Sequence, residues 1–182
     1  MENLKTECAV IVDTNILMEV PEIYDLNWGV DPTTVYVLRP VLDELYGLAR
    51  DRQNRAKARA AQSAHDKLIH ISRQMPPEGH PLPGGGRLLF PAAPSQIQAP
   101  LDPESVDHQQ IALAREHLKA TPSRFCAIVT RDREMQDIAI STRPTVPVVM
   151  PGEGGDVHSE TQRDKAREIA HSDTAQPSTQ SS

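Results

Sequence analysis

Ala9-Val10-Ile11-Val12-Asp13-Thr14-Asn15 is the stretch on which the fold turns. Small and β-branched apolar residues run without interruption into an aspartate. Such a run suits a strand buried on both faces of a parallel sheet. Asp-Thr-Asn then supplies polar residues that prefer strand ends, turns and helix N-caps. In open α/β sheets, ligands bind beyond the carboxyl ends of the strands. Asp13 therefore falls where chemistry is usually found in such a sheet, or else it only caps the helix that follows.

The same grammar recurs outward from this point. Asn15 to Val20 reads as a short helix that stops at Pro21, and Pro21 to Asp31 as a connection with Trp28 covering the core edge. Val35 to Leu38 reads as a second strand. It leads through Pro40 into a helix with apolar Val41, Leu42, Leu45 and Leu48 at helical spacing. Ala49 to Met75 stays helical but turns basic, with Ala56, Ala60, Ala64, Leu68 and Ile71 as its expected buried stripe. Ser105 to Leu118 is a helix capped by Asp102 or Ser105, and Phe125 to Thr130 is a strong strand with a helix after it. Val146 to Met150 is a last strand whose Pro147 suits a sheet edge. Strands alternating with helices predict the α/β class.

Between these elements, Pro76 to Pro103 is rich in proline and carries Gly84-Gly85-Gly86. It reads as a loop of about residues 76–103, with Arg87 to Phe90 as an edge strand. The glycine run lacks the lysine and helix of a phosphate loop. One domain is expected over 1–151, and 152–182 reads as a free tail. The low aromatic share, 3%, and the sixteen prolines fit a compact domain with a loop and tail.

A net charge of -6 argues against a protein that coats polyanions. It is compatible with carboxylates gathered around a cation. Cys8 and Cys126 each adjoin an apolar run and show no metal-ligand spacing; two thiols fit a reducing compartment. Met1 to Glu7 is polar, and no stretch approaches the ~20 apolar residues of a membrane span. A cytoplasmic location with no membrane partner is the expectation. His108 and His117 have no partner at ligand spacing and read as surface residues.

Acidic residues fall at matching places in the strand–helix steps. Asp13 ends the first strand, Asp132 follows the strand at Phe125, Glu44 opens the helix after the second strand, and Asp107 opens the helix before Phe125. Strand ends and the starts of following helices share one edge of a parallel sheet. Asp107 joins them only if its helix begins at that edge. Asp43 competes with Glu44, since adjacent helical residues point about 100° apart. Each of these acids also has a local explanation in helix capping or the helix dipole. Clustered carboxylates repel unless a cation or protons neutralise them, and hard oxygen ligands suit Mg²⁺ or Mn²⁺. Such a site can hydrolyse a phosphodiester without a histidine.

The set Ile11-Val12-Asp13-Thr14-Asn15, Val41-Leu42-Asp43-Glu44-Leu45, Asp107 with Ile111-Ala112, and Ile128-Val129-Thr130-Arg131-Asp132 resembles a PIN domain over roughly residues 8–150. The resemblance implies a three-layer α/β/α sandwich with a central parallel sheet of about four to five strands. It implies a metal-dependent endoribonuclease with Asp13, Glu44, Asp107 and Asp132 as catalytic acids. Asp13, Asp107 and Asp132 would hold Mg²⁺ or Mn²⁺, and Asn15 and Thr130 would order the site. Arg50, Arg52, Arg55 and Arg59 would lie beside it, as in the PIN part of PhoH-type proteins. They and Arg131 would hold RNA phosphates, or the basic run is a solvated helix face. VapC-type toxins share the pattern, so an antitoxin or other protein partner and a homodimer are conceivable. The third motif departs from the family: three residues, not two, separate Asp107 from Ile111.

Two other readings compete. A non-catalytic PIN-like module that binds RNA or protein would be marked by loss of an acidic position. A phosphatase of the haloacid dehalogenase type would need a second aspartate where Asn15 stands.

Overall fold

The computed structural model describes residues 8–20, 22–23, 33–82, 85–121 and 124–149. The expectations for Trp28, Gly84 and the tail from 152 lie outside these residues. The described elements are β1 (Cys8–Val12), α1 (Thr14–Glu19), β2 (Thr33–Tyr36), α2 (Arg39–Leu48), α3 (Arg55–Gln74), β3 (His80–Pro81), β4 (Arg87–Leu89), α4 (Val106–Ala120), β5 (Phe125–Val129), α5 (Arg133–Ser141) and β6 (Val148–Val149). They form one six-stranded sheet in the order β3-β4-β2-β1-β5-β6. All neighbours are parallel except β3 with β4.

The central position of β1 follows from its composition. Every one of its residues is buried, and so are four of the five in β5. Strands without a polar face must be covered by helices on both sides. Right-handed crossovers supply that cover. The chain moves from β1 towards β2 and β4 in one direction, and from β4 across to β5 and β6 in the other. Helices α1, α2 and α3 therefore share one face and pack on one another, while α4 and α5 pack together on the opposite face. The result is a three-layer α/β/α sandwich.

Arg87 to Leu89 is not an edge strand, as its loop setting implied. It lies between β2 and a two-residue strand, β3, that forms the edge instead. Leu88 is fully buried, which the flanking prolines and glycines conceal in the sequence. Gly86 sets the approach of β4 to β2, because a Cβ there would run into the Thr33 carbonyl oxygen. This strand matters beyond the sheet. Because β4 is parallel to β2, α4 is a crossover helix that starts from the carboxyl edge, which is the condition Asp107 had to meet.

Local details also shift. The buried stripe of α3 is Ala61, Ala64 and Leu68, whereas Ala56 is exposed. The helix starts at Arg55, so its first turn stands clear of the core. Strand β2 starts at Thr33, two residues before the apolar run suggests, and Val37 and Leu38 are buried beyond its end. Ser105 caps α4 by accepting from the His108 amide, and Asp102 instead accepts from the Glu104 amide. Both thiols are buried, which pushes Cys8 up to about 11 and Cys126 to about 12.

Among the described residues, Gln110 is the one whose side-chain amide is buried with both polar atoms unsatisfied. Gln110 is 0% exposed, and neither its Nε2 nor its Oε1 has a partner. A desolvated amide without hydrogen bonds is a net cost. Gln110→Met, which keeps the volume and removes the amide, should raise stability by about 1 kcal/mol or more, read as a higher urea midpoint at unchanged slope. An unchanged or lower midpoint would reject this account. Gly86→Ala should lower stability by roughly 1–3 kcal/mol in the same assay, since backbone stands in the way of the added methyl.

Candidate active site

The carboxyl edge between β1 and β5 is the point where the chain direction reverses across the sheet. Crevices form at such points because the following helices diverge to opposite faces. Asp13 closes β1 there, and its amide donates to the Val129 carbonyl (3.1 Å), extending the β1–β5 ladder by one bond. Its side chain is 3% exposed. It makes no side-chain cap to α1, so helix capping does not explain it.

Thr130 holds the crevice together. Its hydroxyl donates to Asp13 Oδ2 (2.8 Å) and accepts from the Asp132 amide (2.9 Å), and the residue is fully buried. Asn15 Nδ2 reaches the same Oδ2 at 3.5 Å. Asp132 caps α5 by accepting the Met135 amide on Oδ1 (3.1 Å). On the other face, Thr14 Oγ1 donates to Glu44 Oε2 (2.6 Å). This bond selects between the adjacent acids of α2: Asp43 is exposed and enters no contact with the crevice. Because α2 begins at Arg39, its first turn contains no acidic residue. Glu44 is therefore not placed to compensate the helix dipole, which falls off within the first turn. Sequence reading gave Thr14 no task; its position directly after Asp13, on the first turn of α1, is the signal that was there to find.

The four acids lie close enough to influence one another's charge. Burial raises the pKa of Asp13; the Thr130 hydroxyl and Thr14 amide hold it down, and Glu44 and Asp132 push it up again. Asp107, in the first turn of α4, is pushed up to about 6, by burial first and then by Asp13, Glu44 and Asp132, with His108 offsetting a part. No lysine or arginine pairs with any of the four among the described residues. A concentration of negative charge without a basic partner is the donor set of a hard cation. No group of three or more His, Cys, Asp or Glu is arranged as a ready cage among the described residues. A hydrated Mg²⁺ needs no such cage, since it keeps several waters and takes one or two carboxylates plus substrate phosphate.

The basic residues have local partners of their own or are exposed. Arg131 Nε pairs with Glu19 (3.2 Å), with both side chains 46% exposed. Arg50 lies beyond the end of α2. Its guanidinium sits 3.7 Å from the Tyr46 ring centroid and donates to the Tyr46 hydroxyl. Arg59 Nε donates to the Arg55 carbonyl (3.3 Å), and Arg52 and Arg55 are exposed.

The raised pKa of Asp107 has a measurable consequence for the metal-free protein. A carboxyl whose pKa is higher folded than unfolded binds more protons in the folded state between the two values, so stability falls as pH rises from about 4 to about 6. Asp107→Asn should remove that fall. It should raise stability by roughly 1–2 kcal/mol at neutral pH, allowing for partial solvent screening, and leave it unchanged at pH values near 4. Urea titrations of both proteins in EDTA across this range read the difference directly. A gap that stays constant with pH would mean that Asp107 is not repelled by its neighbours.

No curated protein matches this sequence. A family model described as the PIN domain matches residues 10–143, which runs from within β1 to just past α5 and contains all four acids. With the reversal point, the acidic crevice and this match in agreement, the chain belongs to the PIN domain family, whose members are commonly nucleases and generally use divalent metals.

Proposed function

We infer that this protein is a divalent-metal-dependent endoribonuclease that hydrolyses RNA phosphodiester bonds. The observation that carries the reading is the convergence of Asp13, Glu44, Asp107 and Asp132 on one crevice, with mutual repulsion and no basic partner among the described residues. Asp13, Asp107 and Asp132 are the residues that would hold Mg²⁺ or Mn²⁺. When bound, the ion supplies Lewis-acid stabilisation of charge on the phosphodiester.

The protein's own groups do the rest. Thr130 locks Asp13 in one orientation, and the same hydroxyl fixes the backbone that carries Asp132. Preorganised groups need no rearrangement as charge develops. Glu44 is solvent-facing and anchored by Thr14 through one oxygen, which suits it to orient an attacking water and accept its proton. Exposed Arg52, Arg55 and Arg59, with Arg50 and Arg131, are the candidates for phosphate contacts along the substrate.

A second reading, a non-catalytic module that binds RNA or protein, draws support from the lack of a preformed three-ligand cage. One experiment separates the two. Cleavage of a labelled single-stranded RNA in Mg²⁺ or Mn²⁺ should fall by roughly 100-fold or more in Asp13→Asn, the scale of losing a group that acts on developing charge. EDTA should abolish cleavage by the unaltered protein. Equal rates in the two proteins, or no metal-dependent cleavage in either, would leave the binding-module reading standing.

A further inference from the structure

A second feature lies on the flank of α4, away from the acidic crevice. A groove of about 140 Å³ is lined by Gln96, Gln98, Ala112, Arg115, Glu116 and Lys119. The four helical residues are spaced at i, i+3, i+4 and i+7, which puts them on one face of α4. Gln96 and Gln98 come from the segment between β4 and α4. The small side chain of Ala112 leaves room between the longer ones.

Arg115 is held in place at one end of its guanidinium. Its Nη2 donates to the Arg143 carbonyl (3.1 Å), which ties the guanidinium to the segment after α5. Its Nε is buried and so out of a ligand's reach, which leaves the terminal Nη groups for the groove. A guanidinium has five N–H donors in a rigid fork, so a fixed Arg115 still has donors to offer. Lys119 is exposed one turn further on and has no ion-pair partner among the described residues. Glu116 adds one carboxylate to the same lining, and with the two glutamine amides it can accept hydrogen bonds from hydroxyl or amino groups. The lining therefore combines donors for an oxyanion with acceptors for its polar substituents. A ribonucleotide unit presents that combination: a phosphate, a 2′-hydroxyl and base edges.

We propose that this groove is a second subsite for the RNA strand, in which Arg115 and Lys119 hold a phosphodiester remote from the one being cleaved. The proposal rests on the RNA reading above and names how the substrate is held. Arg115 and Lys119 lie roughly 12 Å and 18 Å along α4 from Asp107 at 1.5 Å per residue. At ~3.4 Å per stacked nucleotide the groove contacts the strand about four to five nucleotides from the scissile bond. A chain with net charge -6 repels a polyanion overall, so binding depends on such local cations.

The test is fluorescence anisotropy of a fluorescein-labelled oligouridylate long enough to span both places. It is titrated with the full chain in EDTA, so that nothing is cleaved. Lys119→Gln should weaken binding roughly threefold, and Arg115→Gln with Lys119→Gln roughly tenfold. The slope of log affinity against log salt should flatten by ~0.7 for each cation removed. Unchanged affinity and slope in both variants overturn the proposal. If the double variant does not fold, Lys119→Gln decides alone, because Lys119 is exposed in the last turn of its helix. A polyglutamate peptide that displaces the oligouridylate from the unaltered protein at equal concentration assigns the groove to acidic peptides and overturns the RNA assignment. Cleavage in Mg²⁺ is measured separately. An active protein with unaltered binding in both variants loses only the groove; groove-dependent binding without cleavage loses only the nuclease.

Discussion

The pairing of β1 with β5 is the constraint on which the carboxyl edge depends. These strands are 117 residues apart in the chain where Thr130 meets Asp13, yet they run in register from Cys8 opposite Phe125 to Val12 opposite Val129. The driving force is burial of two strands with almost no polar surface. That burial carries Asp13 and Asp132 to the same place whether or not their charges favour it. One hydroxyl then makes the arrangement tolerable: Thr130 satisfies an Asp13 oxygen and the Asp132 amide at once.

What results is a site that is costly in the absence of a ligand. Burial and mutual repulsion raise the pKa of both Asp13 and Asp107. At Asp13 the Thr130 hydroxyl and the Thr14 amide offset only part of this. Local strain of this kind is expected where function opposes stability. Its natural compensation is positive charge from outside the chain, which links the stability of the fold to occupancy of its crevice. Protons supply it at low pH; at neutral pH a bound cation would.

Helix α4 carries two features that its sequence separates cleanly. Its first turn holds Asp107 among the other acids, and its flank carries Arg115 and Lys119 along a groove. Its buried face, Gln110, Ile111 and Ala114, keys it to the sheet. Both outward features are therefore rigidly related by a single helix. This arrangement suits a substrate that must be held at more than one point along its length. Gln110, packed without a partner, is the one place where that buried face departs from good packing chemistry.

Much of this was legible along the chain. The uninterrupted apolar runs at Ala9 and Phe125 announced interior parallel strands, because only strands covered on both faces can lack polar alternation. The order of Asp13, Glu44, Asp107 and Asp132 announced the acid set. Residues 87–89 were harder to place: a three-residue strand among prolines and glycines carries too little periodicity to reveal that it lies inside a sheet. Its placement decided that α4 starts at the carboxyl edge, and so that Asp107 joins the crevice despite its unusual spacing from Ile111. The family resemblance already favoured Glu44 over Asp43; the Thr14 hydrogen bond, a contact across thirty residues, ties Glu44 to the start of α1. By itself the sequence determined which strands are buried and which residue types sit at their ends, since these follow from local pattern and the hydrophobic effect. The tertiary structure alone decided which acids face one another and which arginines do not join them, since charges interact through space and not along the chain.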